Sequence, residues 1–398
     1  MSLNATPSGE RTHIGIFGRT NAGKSSLINA LTSQTLAVVS SVAGTTTDPV
    51  SKAMEILPLG PVLLTDTAGL DDKSELGEMR VSQSLKVLNS TDIALVVIDA
   101  QVGISQSDNE FIEKLKGLKT PFIIVMNKSD KLDEIPSDSE NTIYVSAENG
   151  YNINKLREAM AKMVTNKEEI PVVRDLLKEG DLVVLVIPID ESAPKGRLIL
   201  PQQQTIRDIL EAGAVAVSCR DSELEATLKS LSKKPAMVIT DSQAFKKVSE
   251  IVPDDIQLTS FSILMARHKG GLKNAVKGVT ALDSLNDGDK ILIAEGCTHH
   301  RQCNDIGTVK LPNMILKYTG KKLEFSHSSG KEFPEDLSEY KMVVHCGGCT
   351  LNEREMKHRN KTALSQNIPI TNYGITIAQC TGILKRSVML FPDIYSLL

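Results

Sequence analysis

Three groups of residues in this 398-residue chain have the types and spacing of reactive or ligand-binding sites. The first is Gly18-Arg19-Thr20-Asn21-Ala22-Gly23-Lys24-Ser25, a phosphate-loop pattern set between an apolar run and a helical one. Glycines let backbone N–H groups wrap phosphates, and the following helix N-terminus adds positive potential. Lys24 would place a cation on the β- and γ-phosphates and Ser25 a hydroxyl on Mg²⁺, with Gly18, Ala22, Gly23 and Ser26 completing the nucleotide contact. The second group is Asp66-Thr67-Ala68-Gly69, Asn127-Lys128-Ser129-Asp130 and Ser146-Ala147, each at the end of an expected strand. Asp66 would hold Mg²⁺ through water, and the Gly69 N–H would sense the γ-phosphate. The Asp130 carboxylate can accept both N1–H and N2–H of guanine, which adenine cannot supply, so the site selects GTP and GDP. Ser146-Ala147 fits a loop offering a backbone N–H to guanine O6. The third group carries sulfur: Cys297-Thr298-His299-His300 and His345-Cys346-Gly347-Gly348-Cys349. Three thiolates with nearby imidazoles suit Zn²⁺ as Cys₃His or an iron–sulfur cluster, and spacing alone does not separate the two.

The elements that must position these groups follow from alternating apolar runs and helical patterns, which predict an α/β architecture with mainly parallel sheets. Strands are expected over 13–17, 62–65, 94–99, 121–127 and 143–145, with an edge strand over 54–57 and helices over 25–32, 74–88, 105–116 and 153–163. The polar, Pro-containing stretch 165–173 reads as a linker. A second run carries strands over 182–189, 214–219, 236–240 and 257–261 and helices over 202–212, 221–231 and 242–250. The basic, Gly-containing stretch 266–274 marks a further boundary. A third run carries strands over 290–294, 323–325, 342–345 and 368–372 and helices over 303–319, 351–366 and 375–384. The expected domains are 1–168 for the nucleotide, 169–264 as a dimerisation or scaffold domain, and 265–398 for the metal. No repeat is evident in the letters.

In parallel sheets, ligands bind beyond the carboxyl ends of strands. Both sulfur turns follow such strands. If those strands are neighbours, Cys297, Cys346 and Cys349 converge, Gly347 and Gly348 free N–H groups to face sulfur, and a helix beginning near Leu351 favours thiolate over thiol. Three cysteines leave one iron of a four-iron cluster without a thiolate. Cys303 is a rival fourth ligand, Cys219 and Cys380 read as core, and the basic stretch 357–361 reads as a solvated face.

Composition narrows the classes. The chain is 41% hydrophobic and 24% charged with net charge −4, which argues against charge-driven binding to nucleic acid. Aromatics are 4% and Trp is absent, so base-stacking platforms are scarce. No apolar run reaches the roughly 20 residues of a membrane span. The amino-terminal stretch has no apolar core of a signal peptide, so a cytoplasmic location is expected. Clustered cysteines in such a compartment point to metal or redox chemistry before disulfides.

The nucleotide motifs resemble the GTPase branch containing Era, Der and the tRNA-modifying MnmE. In that branch Asn21 matches the Asn that binds K⁺ in potassium-activated members, and Thr46, in Gly44-Thr45-Thr46-Thr47-Asp48, matches the Mg²⁺-contacting Thr. Leu70 stands where Ras-like enzymes carry a water-orienting Gln. The resemblance implies a K⁺-stimulated GTPase with Lys24, Asn21, Thr46 and Gly69 as its catalytic set. The pattern Cys-x-His, then 300–344, then His-Cys-x-x-Cys, downstream of a GTPase, resembles the HydF family of FeFe-hydrogenase maturation GTPases over the whole chain. That resemblance implies a 4Fe–4S cluster on Cys297, Cys346 and Cys349, with His299 or His345 as fourth ligand or supporting donor. It also implies a homodimer that carries a di-iron precursor built with radical-SAM maturases and delivers it to apo-hydrogenase. The competing reading is an RNA-modification or ribosome-assembly GTPase like MnmE or Era, with a structural zinc or cluster domain.

Overall fold

The computed structural model describes residues 6–32, 40–42, 50–70, 83–164, 170–189, 198–296, 306–330 and 332–398. It divides into two compact units, Met1–Glu168 and Glu169–Leu398. Both are α/β with mostly parallel sheets. Thr46 with its switch segment, the start of the helix expected over 74–88, and Cys297, His299, His300 and Cys303 lie outside the described residues.

The first unit is built on strands β1 (Thr12–Gly18), β2 (Ser40–Val42), β3 (Val50–Ile56), β4 (Gly60–Asp66), β5 (Ile93–Asp99), β6 (Phe122–Asn127) and β7 (Thr142–Tyr144). Their order is β2-β3-β4-β1-β5-β6-β7. From β4 to β7 every pairing is parallel, and β5 is buried along nearly its whole length, as a strand covered on both faces must be. The edge differs from expectation. The run expected over 54–57 belongs to a longer strand, β3, which pairs antiparallel with β4 and with β2. Its first residues are half exposed, so an apolar-run reading misses them.

The second unit holds two four-stranded parallel sheets. The first contains β8 (Leu182–Val186), β9 (Val215–Cys219), β10 (Met237–Thr240) and β11 (Gln257–Ser260) in the order β11-β10-β8-β9. The second contains β12 (Lys290–Ala294), β13 (Glu324–Ser328), β14 (Met342–His345) and β15 (Ile370–Asn372) in the order β13-β12-β14-β15. In each half the first strand in sequence lies between the second and the third, and the fourth flanks the third. The two halves therefore have one winding. Burial repeats as well: β8 matches β12, β9 matches β13, and β10 matches β14 residue for residue. So do the exit bonds. Asp241 N–H donates to Val186 O as Cys346 N–H donates to Ala294 O, and Ile187 N–H to Cys219 O as Glu295 N–H to Ser328 O.

The halves are interlocked. Helix Phe261–His268 follows β11 with Ser260 as its N-cap, and helix Tyr373–Cys380 follows β15 with Asn372 as its N-cap. The next helix of each half then packs on the sheet of the other: Leu272–Val279 on β15 and Leu384–Val388 on β11. Gly278 lies so close to the Ile370 backbone that a Cβ there would overlap its carbonyl carbon. The stretch 266–274, expected as a boundary, links helix Phe261–His268 to helix Leu272–Val279, and the two helices pack together. One hydrophobic core runs across both halves, from Val183 and Ile239 to Ile293 and Val344.

Candidate nucleotide and metal sites

In the first unit, the phosphate loop leaves the carboxyl end of β1, where neighbouring strands depart to opposite sides. This is the switch point at which α/β sheets bind ligands. Helix Lys24–Thr32 begins at the loop's end. Gly23, at φ +93, has the Asn127 amide where a Cβ would stand, so only glycine fits. Asn127 ties three motifs together. It is buried; its Nδ2 donates to Ala22 O at 3.1 Å, and its Oδ1 accepts from Ala147 N–H at 3.1 Å. The neighbouring Lys128 Nζ donates to Asn21 O and to Asp99 Oδ2, each at 2.7 Å. Burial would raise the Asp99 carboxyl, but its bonds from Lys128 and the Gln101 N–H outweigh that and hold it low.

Around the phosphate position, Lys24 Nζ donates to Gly18 O and Arg19 O at 2.9 Å each. Ser25 Oγ donates to Asp66 Oδ2 at 2.9 Å, while the buried Asp66 Oδ1 has no hydrogen-bond partner among the described residues. A hydroxyl beside a carboxylate oxygen left to accept suits Mg²⁺ with its waters, so this donor set fits the ion. Leu70 N–H donates to Gly18 O at 3.3 Å, bringing Gly69 and the Asp66 strand end against the loop. Asn21 is exposed with φ +63. Asp130 is exposed, Ser129 and Ser146 are buried, and Ser129 N–H donates to Val145 O, joining the two base-side loops. Arg19 was not singled out by its motif. It pairs with the buried Asp108 at 3.2 Å and anchors the loop to helix Gln106–Gly117.

In the second unit, β12 and β14 are neighbours, with Ala294 opposite His345. The strand ends that lead into the two sulfur-bearing segments therefore lie side by side. Gly296 N–H, next to Cys297 in sequence, donates to Cys346 Sγ at 3.0 Å, and Gly348 N–H lies 3.4 Å from the same sulfur. Gly348 is left-handed at φ +60, with Met356 Sδ 2.5 Å from where a Cβ would stand. Thr350 Oγ1 donates to Gly296 O at 2.8 Å, tying the Cys346 turn to the residue just beyond β12. Burial pushes the Cys346 thiol up, and the two N–H groups only partly oppose it. Among the described residues no three His, Cys, Asp or Glu side chains form a metal-holding group.

His345 is buried with both ring nitrogens committed. Its Nε2 lies 3.0 Å from Arg359 NH1, which can only donate, so Nε2 accepts and Nδ1–H donates to Cys346 O at 2.7 Å. Burial first, then the Arg359 charge, push its pKa down to about 3. It braces the turn as a neutral imidazole. Arg359 itself is fully buried, bonded to Glu355 Oε1 at 2.8 Å and Gly330 O at 2.6 Å, and lies over the Phe333 ring. Its place inside corrects the reading of 357–361 as wholly solvated. Charge at every other position of that stretch gave no hint, because a buried arginine needs partners that only the fold supplies.

Comparison with known families and proteins completes the description. The family models "Hydrogen maturase F dimerization domain" and "Hydrogen maturase F tetramerization domain" match residues 172–270 and 273–390, together more than half of the chain. The first unit matches "50S ribosome-binding GTPase" over 13–128, and "Elongation factor Tu GTP binding domain" matches 76–181. The tRNA modification GTPase MnmE of Nitrosomonas europaea is 34% identical over 158 residues, 38% of this chain and 35% of that protein. GTPase Der of Wolinella succinogenes is 36% identical over 173 residues, 38% of this chain and 36% of that protein. The chain spans about a third of the length of these curated relatives. An Aquifex aeolicus Era structure bound to GDP and AlF4⁻ is 22% identical with a TM-score of 0.32, covering 52% of this chain and 92% of that one. The first unit is a GTPase domain, and no helix among the described residues is long and apolar enough to cross a membrane.

Proposed function

The chain belongs to the hydrogen maturase F family, and from that membership we propose that it is a GTP-hydrolysing scaffold and carrier in the maturation of FeFe-hydrogenase. In the first unit, water attacks the γ-phosphorus of GTP and the bond to the β–γ bridging oxygen breaks, releasing GDP and phosphate. Lys24 and loop N–H groups would hold the transferring phosphoryl, Ser25, Thr46 and Asp66 would hold Mg²⁺, and Gly69 N–H would read the γ-phosphate. Leu70 carries no group to orient water, so K⁺ held by Asn21 would supply the charge that an arginine finger supplies elsewhere. Asn127, Lys128, Asp130, Ser146 and Ala147 shape the guanine side.

In the second unit, Cys297, Cys346 and Cys349 would hold a 4Fe–4S cluster. When bound, the cluster would supply an iron without a thiolate, an open position for the carried precursor. The Gly296 and Gly348 N–H groups and His345 orient the Cys346 sulfur. Radical-SAM maturases would load the precursor and apo-hydrogenase would receive it, with the chain acting as a homo-oligomer. GTP state would bias switch loops rather than drive iron chemistry, since the two activities lie in separate units. The observation that carries the cluster reading is the Gly296 N–H on Cys346 Sγ at 3.0 Å, which sets one cysteine turn against the residue that leads into the other.

Anaerobic reconstitution with iron and sulfide tests it. The wild-type chain should show a 4Fe–4S EPR signal on reduction. Cys346→Ser should lose the signal and keep GTP hydrolysis. An undiminished signal in that variant removes Cys346 as a ligand. Asn21→Ala should lose K⁺ stimulation with GTP affinity largely intact, and equal stimulation in both chains would refute the K⁺ role.

A further inference from the structure

One buried cation beside the sulfur turn comes from the other half of the unit. Lys269 is the residue that ends helix Phe261–His268, and it is only 6% exposed. Its Nζ donates to Gly348 O at 2.6 Å and to Leu351 O at 2.9 Å. Gly348 is thereby held from both sides, its carbonyl by Lys269 and its N–H on Cys346 Sγ. Leu351 in turn covers Gly296: a Cβ on that glycine would stand 2.8 Å from the leucine Cγ. A single ammonium thus reaches the backbone of the Cys346 turn and of the residue that covers Gly296. With His345, Cys346 and Gly347 it lines one small cavity, and its charge helps depress His345. The matching position of the second half is Thr381, which also ends an eight-residue helix, and its hydroxyl closes back on its own helix, on Ile377 O at 2.6 Å and Ala378 O at 3.4 Å. The long reach of Lys269 is a departure from the repeated plan.

We propose that Lys269 is a positioning residue for the cluster, fixing the Gly348 and Leu351 carbonyls and placing a positive charge behind the Cys346–Cys349 turn. The inference rests on the cluster reading given above. A cluster on thiolates is anionic and gains negative charge on reduction, and the reduction potentials of such clusters follow net charge, hydrogen bonds to sulfur and exposure. A buried cation at this place favours the reduced form and raises the potential.

The test is an EPR redox titration of the anaerobically reconstituted full-length chain and its Lys269→Arg, Lys269→Gln and Lys269→Met variants, with iron content measured alongside. Lys269→Arg should keep the wild-type potential. Lys269→Gln, which keeps a donor but not the charge, and Lys269→Met, which keeps only the stem, should both titrate at more negative potential, Met also with reduced cluster occupancy. A Gln variant titrating with the wild type overturns the charge role. Full occupancy and an unchanged potential in the Met variant overturn the proposal entirely. Failure of the cluster reading looks different: the wild type itself then takes up no iron, and the inference falls with it.

Discussion

The two halves of the second unit share one winding and differ at the point where that winding offers a site. In the second half the strand ends carry Gly296 and Cys346; at the same two positions the first half carries Pro188 and Asp241. Cys346 accepts the Gly296 N–H. Proline has no N–H to give, and the Asp241 carboxylate instead accepts from Gln243 N–H and caps its own short turn. The difference teaches that the sheet supplies only the platform. Whether sulfur can be gripped there depends on two residues at its edge and on what holds them still.

A second contrast concerns that holding. In each half the helix after the third strand reaches the loop after the second. In the first half the link is Lys247 to Asp221 at 2.8 Å, with both side chains substantially exposed. In the second it is Arg359 to Gly330 O at 2.6 Å, fully buried and tied also to Glu355 and His345. Breaking a buried, hydrogen-bonded charge by deleting one partner costs about 3–5 kcal/mol, because the other is left desolvated. Arg359→Met should therefore lower the stability of the second unit by about that much, read as a lower urea midpoint in the transition that GTP does not protect. A variant as stable as wild type would show that the buried link does no more than its exposed counterpart.

The interlock between halves predicts the next effect. Helix Leu384–Val388 follows the strands of the second half and packs on β11 of the first, while helix Leu272–Val279, which links the halves, packs on β15, so the two should melt together. Gly278→Ala inserts a methyl group against the Ile370 backbone, an overpacking that costs roughly 1–3 kcal/mol. Near- and far-ultraviolet signals of the second unit should shift together by that amount. Separate transitions in this variant would break the picture of one shared core.

Much of this was legible in the sequence, for identifiable reasons. The nucleotide motifs could be read because phosphate chemistry demands fixed residue types at fixed spacing. The buried strands could be read because they are short apolar runs. Strand β3 was seen only at its end, since its half-exposed first residues have no apolar period. Lys269 and Arg359 were illegible. A lysine beside two glycines and an arginine in a basic helix look solvated until tertiary structure brings carbonyls and a histidine to them. The duplication was hidden too, because topology and burial repeat where the letters do not.

The smallest effect lies in the exposed member of the pair. The Lys247 hydrogen bond holds the Asp221 carboxyl below its ordinary value, with burial opposing. A carboxyl whose pKa is lower in the folded state adds stability above its unfolded value, near 4, and loses it as pH falls through the folded value. Because both side chains are partly exposed, solvent screening keeps the contribution under about 1 kcal/mol. Asp221→Asn should thus cost a few tenths to about 1 kcal/mol near neutrality, less in high salt, and nothing once pH is well below 4. Urea midpoints of the two chains measured from neutral pH downward should converge. If the gap stayed constant through that range, the loss would come from packing rather than charge, and the contrast between an ionic link in one half and a buried link in the other would fail at its exposed end.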